Sequence, residues 1–366
     1  MHIECVKDKL SRALIKAERI TGKNVTLPVL SCVLLTVVDS ILTIKATNLD
    51  LGVEMSLPVK MITAGSVAVS GSVLNNFISN LQNDKNVTLE VIDGNLKVST
   101  KHSYAIIKAS PVDDFPIISK IEDEKPITFS THDIITGLKS VLYSASPSTM
   151  RPVLSSVLVY PDTDHVVFVA TDSFRLAEKK VTIKKNKDFS QILIPFKNIP
   201  DIIRTIEDIK GDISVYLNQN QIAFSYEDIY LTSRVIDGIF PDYKQIIPKE
   251  NKTEVVVLKQ DLISSLKISN IFLDKFSQVT FNISGVQKQF TITTKNLDVG
   301  ENIQTIDAVI KGDDIQMSFN YKYIIDCFQS IESDSVSLTF ADVNRPMIVR
   351  GVGDKSFLYL AMPMNK

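Results

Sequence analysis

Tryptophan is absent from this 366-residue chain, and histidine (4) and cysteine (3) are scarce. Each shortage removes a class of chemistry. Cys5, Cys32 and Cys327 are too few and too scattered for a disulfide framework, and no Cys-x-x-Cys occurs. His2, His102, His132 and His165 are not spaced with Cys, Asp or Glu as metal ligands are. His132 beside Asp133 reads as a helix start rather than a catalytic pair. A Gly-x-Ser-x-Gly elbow and a glycine-rich phosphate loop ending in Lys-Ser or Lys-Thr are also missing. The expectation is a protein without an active site, a metal or a cofactor.

Long apolar runs are missing too. The longest, Leu27 to Val38, is interrupted by Ser31 and Thr36 and falls short of the ~18 residues of a membrane span. Met1-His2-Ile3-Glu4 has neither the basic start nor the apolar stretch of a secretory signal, which predicts a cytoplasmic protein. A net charge of −2, from 40 basic and 42 acidic residues, argues against coating nucleic acid by bulk attraction and leaves room only for a local basic face.

What is present is a repeat. Ala46-Thr47-Asn48-Leu49-Asp50-Leu51-Gly52 returns 124 residues later at Ala170-Thr171-Asp172, and again as Lys295-Asn296-Leu297-Asp298-Val299-Gly300. Pro28-Val29-Leu30-Ser31-Cys32-Val33-Leu34 matches Pro152-Val153-Leu154-Ser155-Ser156-Val157-Leu158 at the same 124-residue spacing. Phe115-Pro116, Phe240-Pro241 and Met362-Pro363 close the three copies. Solenoid repeats run about 20 to 50 residues, whereas this period is a whole domain. Three tandem domains follow, at residues 1–122, 126–247 and 250–366, with the polar stretches Ser119 to Lys125 and Pro248 to Glu254 as connectors.

Each copy opens with an amphipathic segment: Val6 to Ile20, Ser130 to Ala145, and Leu258 to Phe272. In the first, Val6, Leu10, Ala13, Leu14 and Ala17 recur at helical intervals. A second helix is predicted at Ser72 to Leu81, Lys197 to Ile206, and Tyr321 to Ile331. Leu74, Ile199 and Ile324 keep a 125-residue step. Runs rich in β-branched residues fill the rest, among them Val33 to Val38, Leu42 to Thr47, Val53 to Leu57, Val157 to Tyr160 and Val166 to Thr171. Val87 to Ile92 and Leu96 to Thr100 flank Asp93-Gly94, a two-residue hairpin signal. The predicted fold class is α+β: a two-layer domain of antiparallel sheet and two helices, repeated three times. Sheet edges left open by such domains are templates for pairing, so the copies are expected to join edge to edge in an arc that needs a partner to close.

Carboxylate pairs at Asp113-Asp114, Asp313-Asp314 and Glu122 to Glu124 fall on predicted loops and turns, where solvated or capping roles dominate. A two-metal nuclease would need them convergent. On the first helix Arg12, Lys16, Arg19 and Lys23 form a stripe opposite the apolar side, with Lys9 nearby. Lys139, Lys197, Arg204, Lys210, Lys267 and Lys322 place cations on or beside the corresponding helices. One shared basic surface for duplex DNA follows, salt-sensitive and without sequence preference.

Ala170-Thr171-Asp172-Ser173-Phe174-Arg175-Leu176-Ala177, Asp237-Gly238-Ile239-Phe240-Pro241-Asp242-Tyr243 and Met362-Pro363-Met364 resemble the bacterial DNA sliding clamp, the beta subunit of DNA polymerase III, and the likeness runs through the whole chain in order. The resemblance implies a non-catalytic processivity factor: a homodimeric ring around double-stranded DNA, with helices lining the hole. A clamp loader would open it, and it would tether the polymerase III alpha subunit and other proteins that carry a clamp-binding peptide. A partner-peptide pocket is implied at Leu154, Thr171, Ser173, Phe174, Arg175, Leu176, Pro241, Ile246, Asn320, Tyr323, Pro346, Leu360, Met362, Pro363 and Met364, with Arg175 fixing a peptide carbonyl or carboxylate. DNA contacts are implied at Arg12, Lys16, Arg19, Lys23, Asn24, Lys139, Lys197 and Arg204. The implied dimer interface is Tyr104, Ile106 and Lys108 of one subunit against Ile271, Phe272 and Leu273 of the other. Four positions depart from the family pattern. Ser173-Phe174 stands where Gly and a polar ring are usual, Gln245 where a basic residue is common, and Asn24 where an arginine often meets DNA.

Overall fold

The structure, a computed structural model, describes residues 1–22, 27–82, 84–121, 124–183 and 189–364. It divides into two compact units, Met1–His132 with Lys197–Val235, and Asp133–Phe196 with Ile236–Lys366. The second repeat is therefore shared between the units.

In the first unit a five-stranded antiparallel sheet runs in the order Lys60–Thr63, His2–Val6, Asn86–Ile92, Asn95–Ser99, Tyr104–Ile107. A nine-stranded sheet takes five strands from the first repeat and four from the second, in the order Ala109–Ser110, Gly65–Ser70, Cys32–Val38, Ile41–Thr47, Leu51–Pro58, Ile229–Arg234, Gln221–Tyr226, Asp212–Leu217, Ile127–Ser130. The seam is the antiparallel pair Leu51–Pro58 and Ile229–Arg234, with Leu231 opposite Val53. Helices α1 (Lys7–Ile20) and α2 (Gly71–Asn80) pack together and α1 lies on the strands Ile41–Thr47 and Leu51–Pro58. Leu10, Leu14, Ala17 and Ile20 form the buried stripe of α1. Val6, expected on that stripe, instead ends the first strand and faces solvent. The Asp93-Gly94 turn has φ of 48° and 74°, the positive pair that a type I′ hairpin requires.

In the second unit the helix α3 (Thr131–Val141), whose first two residues belong to the other unit, continues as a 3₁₀ turn over Leu142–Ser144. A nine-stranded sheet runs Ile192–Pro195, Ser156–Asp162, His165–Thr171, Arg175–Thr182, Phe357–Ala361, Met347–Gly351, Ser335–Phe340, Thr253–Leu258, Ala308–Gly312. Its seam pairs Arg175–Thr182 with Phe357–Ala361, again one repeat with the next. A four-stranded sheet has the order Gly300–Ile306, Gln289–Asn296, Gln278–Ser284, Ile315–Asn320. Along Gln278–Ser284, Val279, Phe281 and Ile283 are buried and the residues between them are not, the period of two that one covered face imposes. Phe281 meets Phe290 edge-on at 5.3 Å between ring centres. Each fully buried Phe, Leu or Ile of this kind contributes about 1.5–3 kcal/mol.

The remaining helices are α4 (Ile199–Ile206), α5 (Lys259–Ser269) and α6 (Tyr321–Ile325). Helix α5 gives way to a 3₁₀ turn at Asn270–Phe272. Helix α6 is half the expected length because Asp326–Ser330 winds tighter as 3₁₀, with the Cys327 thiol bonded to the Ile324 carbonyl at 3.2 Å. Thr253 and Glu254, expected in the second connector, are strand residues, since Thr253 pairs with both Phe340 and Gly312.

The first connector is pinned rather than loose. Lys120 Nζ donates to Glu54 Oε1 at 2.7 Å, Lys45 Nζ lies 3.1 Å from Glu54 Oε2, and the Ile121 amide donates to Tyr230 Oη at 2.9 Å. Burial alone would raise the Glu54 carboxyl, but hydrogen bonds and charge from Lys120 and Lys45 outweigh it and hold the group below its ordinary 4.5. A carboxyl depressed on folding adds stability above its unfolded pKa and loses it as pH falls through the folded value. Glu54→Gln is expected to cost about 1 kcal/mol in urea unfolding at pH 7, a figure kept small because Lys120 is half exposed. The gap to the parent should narrow as pH falls below the ordinary carboxylate range and through the lowered folded value. An equal gap at pH 7 and pH 3 would refute the assignment.

Candidate functional site

In the second unit, the turn joining His165–Thr171 to Arg175–Thr182 is built by its own side chains. Asp172 Oδ1 accepts from the amides of Phe174 and Arg175, both at 2.9 Å, and Thr171 Oγ1 accepts from the Ser173 amide at 3.1 Å while donating to the Arg175 carbonyl at 2.7 Å. These bonds hold Ser173 at φ 78°, a left-handed position that disfavours most side chains. The resemblance leads one to expect glycine there, and serine is held in the conformation by the surrounding bonds. The turn lifts Phe174 into solvent, 59 % exposed, while the Met362 amide donates to its carbonyl at 2.8 Å.

Arg175 turns the other way. Its side chain is only 10 % exposed, with Nε donating to Asp172 Oδ2 at 3.0 Å and Nη1 to Asp326 Oδ2 at 2.7 Å. The guanidinium sits 4.7 Å from the Tyr323 ring centre and 6.0 Å from that of Tyr143, close enough for cation–π attraction. Burial opposes the charge, yet the bonds from Asp326 and Asp172 outweigh it and raise the Arg175 pKa. The resemblance casts this side chain as a clamp on a peptide carbonyl or carboxylate. Its charge is instead met by two carboxylates of its own chain, so what it offers a ligand is spare N–H capacity and a fixed wall. Phe174 extends that wall by stacking on Tyr323 at 6.4 Å and 20°.

Beneath lie Leu154, Thr171, Leu176, Pro346 and Leu360, all buried. Leu176 and Leu360 belong to a core cluster with Leu158, Val169, Phe240 and Tyr243, so they are core residues beneath the turn. Ser173, Pro241 and Ile246 are exposed, and Asn320, Tyr323, Met362, Pro363 and Met364 are half-buried. Asn320 caps α6 by accepting from the Lys322 amide at 3.0 Å, and the Met364 amide donates to the Ser318 carbonyl at 2.8 Å. Behind the floor, Tyr243 donates to Glu178 at 2.5 Å and meets Tyr160 Oη at 2.8 Å. Burial first, then these bonds, push its phenol far above the usual range. Gln245 donates to Asp242 at 2.8 Å, tying down the turn where the family has a base. Sequence reading missed Tyr143 and Asp326. The latter lies 125 residues after Asp201 and could have been found from the repeat; Tyr143 carried no signal.

The cations divide. Arg12, Arg19 and Lys139 are exposed, Arg12 bending to the Asp8 carbonyl at 3.3 Å. Lys16, expected in the exposed stripe, is largely covered, its Nζ donating to the Thr205 carbonyl at 2.8 Å and lying 3.5 Å from Asp208. It ties α1 to α4. Lys197 is bonded to Asp50 at 2.6 Å and Arg204 lies 3.5 Å from Asp201, so both share their charge with a carboxylate. Lys23 and Asn24 lie outside the described residues.

Tyr104 and Ile106 point outward from the last strand of the five-stranded sheet, with Lys108 exposed just beyond. Ile271 is exposed and Phe272 and Leu273 half-buried beside the strand Gly300–Ile306, which ends the four-stranded sheet. That strand, with Ile303 63 % exposed, was not singled out from the sequence because its composition, Gly-Glu-Asn-Ile-Gln-Thr-Ile, is that of a loop.

Three family models cover the chain in succession: the N-terminal domain of the DNA polymerase III beta subunit over residues 1–119, the central domain over 129–242, and the C-terminal domain over 244–365. The beta sliding clamp of Synechococcus elongatus is 26 % identical over 373 residues, spanning 100 % of this chain and 99 % of that protein. The crystal structure of the DNA polymerase sliding clamp from Bacillus subtilis superposes with a TM-score of 0.95 at 20 % identity, covering 100 % of this chain and 99 % of that one. A Pseudomonas aeruginosa sliding clamp bound to griselimycin matches at a TM-score of 0.94 and 23 % identity, with 100 % of both chains covered.

Proposed function

The chain belongs to the DNA polymerase III beta subunit family and is a non-catalytic processivity factor of replication, and from that premise we propose that it works as a homodimeric ring around duplex DNA. The observation that carries the proposal is the pairing of successive repeats through Leu51–Pro58 with Ile229–Arg234 and Arg175–Thr182 with Phe357–Ala361. Among the outer strands of the four sheets, Tyr104–Ile107 in the first repeat and Gly300–Ile306 in the third carry exposed Ile106 and Ile303, and the joint between copies is assigned to these two edges. Two unlike edges on one chain make a head-to-tail contact that closes when the rotation permits. Two copies of three domains close it.

Exposed Arg12, Arg19 and Lys139 then supply sequence-independent attraction to phosphate, with Lys197 and Arg204 contributing when their carboxylates yield. Such contacts are weak and exchange readily, so a duplex enclosed by them slides. A partner bound to the ring rebinds its primer end at high effective concentration, which is how geometry becomes processivity. The groove between Phe174, Arg175, Tyr323 and Met362 takes a short apolar peptide from the polymerase alpha subunit and other partners. An adaptable slot of Leu, Ile and Met side chains suits that ligand. Opening the ring falls to a separate ATP-using clamp loader in the cytoplasm, and residues 1–366 carry no phosphate-loop motif of their own.

The decisive experiment loads the protein on a nicked circular plasmid with a clamp loader and then linearises the DNA. Retention on the circle and loss on cutting are expected, at salt that abolishes binding to linear duplex. Equal retention on both forms would replace enclosure with ordinary affinity.

A further inference from the structure

The first unit repeats the turn that builds the Phe174 site, bond for bond. Asn48 Oδ1 accepts from the Asp50 and Leu51 amides at 3.0 and 2.7 Å, as Asp172 does from Phe174 and Arg175. Thr47 Oγ1 donates to the Leu51 carbonyl at 2.7 Å and accepts from Leu49 at 3.0 Å, as Thr171 does in its own turn. Leu49 has φ 75° beside the 78° of Ser173. The Arg234 amide donates to the Asp50 carbonyl at 2.8 Å, as that of Met362 does to Phe174. Leu30 stands for Leu154 by the repeat, and Asp201 for Asp326. The turn opens onto a cleft of about 420 Å³ lined by Thr21, Leu30, Asp50, Lys197 and Asp201, among others.

The side chains differ where a ligand would touch them. Phe174 becomes Asp50, Arg175 becomes Leu51, and Met362 becomes Arg234. In the second unit the turn reaches the neighbouring helix through Arg175 to Asp326, and in the first through Asp50 to Lys197 at 2.6 Å, the same bridge with its polarity reversed. We propose that this first-unit cleft is a peptide groove closed to apolar ligands by its charged rim, and that positions 50, 51 and 234, against 174, 175 and 362, decide which of the two grooves a partner enters. The proposal rests on the reading of the Phe174 groove as the partner site. An apolar peptide laid over Asp50, Lys197 and Arg234 would strip water from three charges and give them nothing in return. The same peptide on Phe174 and Met362 buries mainly apolar surface, because the charges there, Arg175, Asp172 and Asp326, are already bonded to one another. Asp201, kept in the first unit without an arginine from the turn, is the acceptor an arginine at position 51 would find. Asn198, at the place of Tyr323, is buried with its amide bonded to Ser233, and it is left unchanged in the test.

The test is a titration of a fluorescent polymerase-derived peptide into the full-length protein, read as stoichiometry by calorimetry. One peptide per chain is expected for the parent and two for D50F/L51R/R234M, and adding M362A to that triple should return the count to one at the new site. A folded triple that stays at one, or a parent that already binds two, overturns the inference while leaving the Phe174 reading intact. A parent that binds none overturns both. Should the triple not fold, the reverse exchange F174D/M362R decides: a loss of at least 100-fold in affinity with an unchanged melting curve supports the proposal, and a loss under 3-fold overturns it.

Discussion

Arg175→Ala is expected to weaken peptide binding at least 100-fold and to lower the stability of the chain by about 2–4 kcal/mol. Both effects have one cause. Among the described residues the guanidinium is the only cation between Asp172 at 3.0 Å and Asp326 at 2.7 Å, and it is the face against which Tyr323 rests. Removing it leaves two carboxylates facing a vacated, mostly buried space, and breaking such a pair costs more than the pair contributed. The carboxylates must then move apart or take up protons, and in either case Tyr323 and the stacked Phe174 lose their backing. Urea unfolding measures the first effect and fluorescence anisotropy of a polymerase-derived peptide the second. Asp326→Asn separates them: it keeps the volume and one hydrogen bond, so most of the peptide affinity should survive. Met362→Ala, which removes apolar contact without touching the ion pair, should abolish peptide binding with little loss of stability, and neither change should disturb dimerisation. Full peptide affinity in both R175A and M362A would remove the site from Phe174 and its neighbours.

The dependence of Arg175 on Asp326 explains why the resemblance casts Arg175 as a ligand clamp while its electrostatics stay hidden in the sequence. The repeated Ala-Thr-Asn/Asp forms its turn through an Asx side chain bonding two amides, local chemistry complete within four residues, although the sequence marked it only as a repeat. The Asp93-Gly94 hairpin and the helical stripe of Leu10, Leu14 and Ala17 are legible for the same local reason. An ion pair 151 residues apart in sequence has no local signature. Arg175 therefore reads as a free cation until its partner is placed. Lys16 misleads for the same reason: its spacing from Arg12 and Arg19 puts it on the outer face of α1, but the Thr205 carbonyl and Asp208 arrive from the second repeat and capture it.

A 124-residue period implies three domains, and three family models match the chain in succession; contacts nevertheless group it into two compact units, because seams between repeats carry full ladders of hydrogen bonds and buried side chains, such as Leu231 on Val53 and Leu176 on Leu360. A strand at a seam is held as firmly as one inside a domain. The central repeat consequently gives its strands Asp212–Leu217, Gln221–Tyr226 and Ile229–Arg234 to one unit and Ser156–Asp162, His165–Thr171 and Arg175–Thr182 to the other. The sequence period records descent from one module; the contacts record which surfaces were buried.

A strand edge that no other described strand of its own chain covers is the remaining place where one side chain should have a large effect. Ile106→Asp is expected to turn the protein into a monomer at 1–10 μM, weakening self-association at least 100-fold, about 2.7 kcal/mol. Tyr104–Ile107 is paired on one side only, with Asn95–Ser99, and presents Tyr104 and Ile106 outward at 70 % and 59 % exposed. Short edge strands commonly carry charge to prevent pairing, and this one carries aromatic and aliphatic side chains, with Lys108 held outside it. Burying a carboxylate at Ile106 against Ile271, Phe272 or Ile303 of a second copy would leave it without a cation or enough donors, a penalty well above the loss of the isoleucine's own contact. Ile303→Asp on the other terminal strand should have the same effect, and the double variant should add little, because either change alone removes the joint. Sedimentation velocity at several concentrations measures the shift. Retention on circular plasmid should vanish with it, while peptide affinity at the Phe174 groove should be unchanged. An I106D protein that still sediments as a dimer at 1 μM would move the joint to another surface, and one that is monomeric yet stays on circular DNA would show that enclosure is not what holds it there.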